Sequence, residues 1–140
     1  MASPRRGGAL RTLVEEQSFA VLDGGLGTHL EALGVELDPL LWGGGAVLSS
    51  PSALRRAHAD FLRAGADVVT TASYQLWPKP LHDRGESYEA VVARAAQVAG
   101  EARDSVWQEL QRLRSHRRRP LVAGSIGCYG AHLCDGSEYT

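Results

Sequence analysis

Apolar and polar positions along this chain keep two periods, one of strands and one of helices. Residues 19–22 (FAVL) form a short apolar run stopped by Asp23-Gly24-Gly25, which predicts a buried strand ending in a turn. A brief helix over 28–33 is expected next. The stretch 34–49 holds Asp38-Pro39 and glycines at 43, 44 and 45, where helix and strand are both disfavoured, and predicts a loop. Ser50-Pro51 predicts a helix start, because serine caps open N–H groups and proline at the first helical position gives up a donor that had no partner. Leu54, Ala57, Phe61 and Leu62 share one face, Arg55, Arg56, Asp60 and Arg63 lie largely off it, and Gly65 supplies a left-handed stop, so this helix should span 51–64. Residues 67–73 are β-branched, apolar first and polar last, as in a buried strand whose far end opens into a site. From Tyr88 to Leu113 apolar positions keep helical spacing for about seven turns, with a possible kink at Gly100 and a stop at Pro120. A third strand is expected over 121–126.

Strands alternating with helices imply parallel pairing through right-handed crossovers, so the predicted class is α/β. Three strands are few, and no fourth helix follows the third. An open edge of unpaired N–H and C=O groups would invite association. The 140 residues also fall well short of the roughly 250 of a complete (β/α)8 barrel.

Composition narrows the picture. Hydrophobic residues at 44% and charged residues at 22% are globular values, which disfavours disorder, collagen and coiled coil. A net charge of -1 gives no overall field for nucleic acid or a membrane surface. Two cysteines, Cys128 and Cys134, are too few for a disulfide-stapled scaffold, so a reducing, cytoplasmic setting is expected. No run has the length of a spanning helix or a signal-peptide core, and Glu15 and Glu16 argue against a presequence built on Arg5, Arg6 and Arg11.

In parallel α/β folds ligands sit at the carboxyl ends of strands, here Asp23-Gly24-Gly25, Thr70 to Ser73, and Gly124 to Gly127. Such a set can hold a zwitterion, with Asp23 taking an ammonium and bare backbone N–H groups a carboxylate; the plain alternative is an ordinary turn aspartate. Gly25-Leu-Gly27 lacks the third glycine of a dinucleotide fingerprint. Cys128, His132 and Cys134, with Asp135, make a weak local zinc candidate against incidental cysteines. Arg112, Arg114, His116, Arg117, Arg118 and Arg119 form the one basic block, read as a solvated helix end rather than an RNA surface. Trp42, Trp77 and Trp107 are expected in core or interface, with Trp77 able to line a cavity mouth.

Three blocks, LDGGLGTHLEALGVELDPLLW (22–42), HADFLRAGADVVTTASYQ (58–75) and LVAGSIGCYGAHLCDGSEY (121–139), strongly resemble the homocysteine S-methyltransferase family. The resemblance implies a (β/α)8 barrel of which 18–140 would be the first three or so strand-helix units, after an N-terminal extension over 1–17. It implies zinc held by three cysteine thiolates, and methyl transfer from a sulfonium or ammonium donor, such as S-methylmethionine, to the homocysteine thiol, giving methionine. The family's metal ligands lie in later strands without counterparts before Thr140, so this chain is expected to lack the metal site and any bond-making residue. Asp23, Gly24 and Gly25 match the first-strand motif that holds the amino-acid end of homocysteine, and Thr71 matches a second-strand residue of the same cavity. Cys128 stands where the family usually has proline, and Gly43-Gly44-Gly45 replaces a less flexible segment. Expected partners are homocysteine and a small methyl donor, with no nucleic acid and no membrane. The alternative is a non-catalytic form that associates with a full-length partner through its open sheet edge.

Overall fold

A narrow parallel sheet carries the fold, seen in a computed structural model that describes residues 8–133 and 135. Arg5, Arg6, Cys134, 136–140 and the side chain of His132 lie outside the described residues. Strand β1 (Val68–Thr70) pairs in parallel with β2 (Leu121–Ala123) in the register Val68↔Leu121, Val69↔Val122, Thr70↔Ala123. On the other side of β1 the predicted first strand is reduced to one parallel bridge, Leu22↔Val68, flanked by Asp67 and Val68 N–H donating to Val21 O at 2.7 and 3.1 Å and Asp23 N–H donating to Val68 O at 3.0 Å. The class is α/β, with two strands and a bridge among the described residues where three strands were expected.

The first segment is also not buried: Phe19 and Leu22 are 63% and 62% exposed. The reason is coverage. Helices α4 (Pro51–Ala64) and α6 (Tyr88–Arg112) pack on each other and on β1, and α6 also reaches β2, while Phe19 and Leu22 stay uncovered. Apolar sequence sets what a strand can bury, and its neighbours set what it does bury.

Helix α4 matches its predicted span, with Leu54, Ala57 and Leu62 buried and Gly65 at φ 121° ending it. Ser50 makes no side-chain cap there; its carbonyl accepts from Leu54 N–H at 3.0 Å. Helix α6 runs through Gly100 and divides its apolar face between two cores. Val91, Ala95 and Val98 meet Leu30, Leu41, Leu54 and Leu81, while Ala99, Ala102 and Val106 meet Leu62 and Val69. Its end comes at Arg112, well before Pro120: Arg114 turns left-handed at φ 52° and Ser115 N–H returns to Leu110 O at 2.9 Å.

Two expectations change here. Residues 34–49 are not all loop, since Gly43–Gly45 form a 3-10 turn leading into α3 (Ala46–Ser49), with Gly44 and Gly45 buried. A Cβ on Gly45 would stand 2.5 Å from the Asp38 Cβ, and one on Gly44 3.0 Å from Leu76 Cδ2, so these glycines permit close packing rather than lend flexibility. The arginine block is exposed except at Arg117, but it is tied into the fold beyond the helix end. Because α6 stops early, the chain returns beneath the sheet, where Arg117 donates to Leu62 O and Ala66 O, both at 2.8 Å. Arg119 reaches Asp104 at 2.6 Å, and Arg118 pairs with Glu16 of α1 (Ala9–Gln17). The guanidiniums of Arg103, first, and Arg119 hold the Asp104 carboxyl at about 2.

Candidate functional site

Asp23 follows the bridge at Leu22 and meets the end of β1 sideways. Its Oδ2 accepts from Thr70 N–H at 2.8 Å and from Thr70 Oγ1 at 3.1 Å, and its Oδ1 from the same hydroxyl at 3.3 Å. Among the described residues no Lys or Arg is paired with this carboxylate, which keeps acceptor capacity beyond Thr70's two donors. Gly24 next to it is held by close approach: a Cβ there would lie 3.0 Å from Phe61 Cε1.

Thr71 is buried and knits β1 to β2. Ser73 gives its single hydroxyl proton to Ser125 O at 2.7 Å, so in the 2.7 Å contact between the hydroxyls Thr71 is the donor, and Thr71 accepts from Ser125 N–H at 2.9 Å. The closed ring fixes the Thr71 hydroxyl proton in the fold. These strand ends wall a cavity of about 260 Å³ lined by Gly24, Trp42, Gly43, Thr70, Thr71 and Ser125, among others. Of the four predicted site residues, Gly24 and Thr71 line this cavity. Asp23 stands behind it, tied to the lining residue Thr70, and Gly25 serves as the entry to α2 (Leu26–Ala32). Trp42 is 47% exposed and forms cavity wall instead of core, whereas Trp77 lines a neighbouring hollow and meets Tyr129 edge-on with centroids 6.2 Å apart.

Thr70, named in the sequence only as part of the polar strand end, is the partner of Asp23. One residue escaped the sequence reading. His58 is completely buried, and neither ring nitrogen has a hydrogen-bond partner among the described residues. Desolvation pushes its pKa down to about 4, against the opposing pull of the Asp23 charge, so His58 is neutral at pH 7. Its spacing was a usable signal, since 54, 58 and 62 form one helical stripe.

Metal chemistry finds no seat among the described residues, where no three His, Cys, Asp or Glu side chains converge. Cys128 is exposed beside Tyr74, Sγ to Oη 3.8 Å, and its thiol pKa is lowered by the Ala131 amide first and by that phenol second. Among the described residues the donors do not make a zinc site; Cys134 and the side chain of His132, the other members of the local candidate, fall outside the described residues.

The family model described as homocysteine S-methyltransferase matches residues 20–140. The chain belongs to the homocysteine S-methyltransferase family. Its relatives include homocysteine S-methyltransferase 4 of Zea mays, 46% identical over 139 residues that cover 95% of this chain and 40% of that protein. The selenocysteine methyltransferase of Astragalus bisulcatus is 41% identical over 133 residues, covering 86% of this chain and 39% of that protein. Among solved structures, the metallated form of the homocysteine methyltransferase MmuM from Escherichia coli superposes with a TM-score of 0.81 at 38% identity, covering 93% of this chain and 45% of that one. The chain thus spans about two fifths of the length of these curated family members. Among the described residues no helix is long and apolar enough to cross a membrane.

Proposed function

We propose that this chain forms the first part of a (β/α)8 barrel, with 1–17 as an N-terminal extension and 18–140 as the barrel portion, and that it carries the amino-acid end of a homocysteine pocket. The Asp23 carboxylate takes the substrate ammonium, backbone N–H groups at Gly24 and Gly25 take its carboxylate, and Thr71 shapes the wall. The observation that carries this reading is the Asp23 carboxylate, whose hydrogen-bond donors among the described residues are the N–H and hydroxyl of Thr70, next to Gly24 and Thr70 on the wall of a cavity of about 260 Å³.

The reaction of the whole protein is methyl transfer from a sulfonium or ammonium donor to the homocysteine thiol. A sulfur–methyl bond forms, the donor's bond to that methyl breaks with its electron pair leaving on the donor, the thiol proton is released, and methionine results. Asp23, Gly24, Gly25 and Thr71 bind and orient the substrate; zinc would be supplied by ligands beyond these residues, in a reducing, cytoplasmic setting. The Astragalus relative supports a site that grips the amino-acid end and leaves the chalcogen free. Calorimetric titration tests the reading: homocysteine binds, and 4-mercaptobutanoate, which lacks the ammonium, binds at least about tenfold more weakly, as the loss of a charge-assisted bond of about 1.5–3 kcal/mol requires. Equal affinity would refute it.

A second reading, association with a longer partner, is favoured by one observation. Among the described residues β2 pairs only with β1, and Ile126 beyond it is 91% exposed. Light scattering that finds a folded monomer at all concentrations would rule it out.

A further inference from the structure

Trp42 adopts φ 44° and ψ -130°, a backbone conformation that a bulky side chain holds only when its surroundings impose it. Asp38 supplies most of the imposing contacts, with Gly45 N–H donating to Trp42 O at 3.1 Å from the other side. The Asp38 carbonyl accepts from Trp42 N–H at 2.7 Å, and Asp38 Oδ1 accepts from the N–H groups of Leu40 and Leu41, both at 2.9 Å. Asp38 is fixed in turn by Arg84, whose guanidinium donates to Oδ2 at 2.5 Å and Oδ1 at 3.0 Å. Arg84 belongs to the turn after α5 (Pro78–His82), anchored by Leu81, which is fully buried in the same core as Leu41. On the far side Gly45 leaves room for the Asp38 side chain, so the clasp closes with no space to spare. The result faces the site: Trp42 lines the cavity shared with Gly24, Thr70 and Thr71, and also a second hollow beside Leu37 and Asp38.

We propose that Asp38 and Arg84 are positioning residues: their bidentate ion pair holds Trp42 in its left-handed conformation on the cavity wall, so the shape of the pocket depends on a contact made outside it. The functional half of this inference rests on the reading of the cavity as the amino-acid pocket; the conformational half does not. With the clasp opened, the Asp38 carboxylate loses the fork that aims Oδ1 at the N–H groups of Leu40 and Leu41, the hold on positive φ at Trp42 weakens, and its indole leaves the wall. Only the fraction of molecules that retain the closed loop then binds substrate at full strength.

The test uses the chain as it exists, with the near-UV circular dichroism band of Trp42 assigned by its loss in Trp42→Phe. Arg84→Gln is expected to lose that band with the far-UV spectrum unchanged, and to weaken homocysteine binding about tenfold, as a tenfold fall in the competent fraction requires. Arg84→Lys, which keeps the charge but not the fork, restores part of both, and serves as the readable variant if Arg84→Gln does not fold. In the Trp42→Phe background Arg84→Gln costs little further affinity, because its effect runs through the indole. A Trp42 band that survives Arg84→Gln, or an equal loss of affinity in the Trp42→Phe background, overturns the proposal. If the chain binds no homocysteine but Arg84→Gln still abolishes the band, the clasp stands and the pocket assignment falls.

Discussion

Two aspartates hold the first segment to β1 from opposite ends, and they do it in different company. Asp67, at the amino end, accepts from Val21 N–H at 3.0 Å and Gln17 at 3.4 Å and lies 4.0 Å from the Arg117 guanidinium. Asp23, at the carboxyl end, accepts from Thr70 and has no Lys or Arg paired with it among the described residues. One carboxylate has a cation within reach in the fold, and the other, next to the cavity-lining Gly24 and Thr70, has none paired with it among the described residues. On the proposed reading the amino end of the sheet serves stability and the carboxyl end a ligand, the division that parallel α/β folds generally show.

The contrast can be broken most severely from the stable end. Arg117→Ala removes two charge-assisted bonds to Leu62 O and Ala66 O and exposes the end of α4; we expect a loss of about 2–4 kcal/mol in urea unfolding, with homocysteine affinity unchanged in the folded fraction. His58 sharpens the contrast through pH. Its folded pKa of about 4 lies below the ordinary 6.5, so the unfolded chain binds more protons between those values, and stability falls as pH drops from 6.5 toward 4. The loss amounts to roughly 2–3 kcal/mol, and His58→Leu should flatten it in unfolding midpoints taken at pH 7 and 4.5. Asp38 and Asp104, with pKa values of about 2, lose their contributions only below the ordinary 3.8, outside that window. The smallest effect is expected at the carboxyl end, where Thr71→Val opens the hydroxyl ring at Ser125 and costs about 1–2 kcal/mol by thermal unfolding.

The sequence was most readable where one residue's own chemistry decides. Pro51 and Gly65 bracket α4, and the apolar stripe of α6 extends from Tyr88 to Arg112, because φ restriction, left-handed tolerance and helical spacing are local properties. It was least readable where a partner decides. The exposure of Phe19 and Leu22 depends on which elements come to cover them, which their own apolar run does not state. Gly44 and Gly45 read as flexibility until Leu76 and Asp38 are seen against them. The arginine block read as solvated throughout, and Arg117 departs from that because the early stop of α6 brings it under the end of α4. In the site, the strand ends were legible as polar endings of apolar runs, but the choice between Thr70 and Thr71 as Asp23's partner depends on which face of β1 each side chain takes, and a short polar run does not reveal that.

The measurement that bears most directly on the account is a paired titration of homocysteine into Asp23→Asn and Asp67→Asn. Each variant keeps the size of the side chain and an oxygen that can accept from the neighbouring backbone N–H. The account predicts at least about a tenfold loss of affinity for Asp23→Asn with stability nearly kept, and the reverse for Asp67→Asn. Equal affinities in the two variants would contradict it.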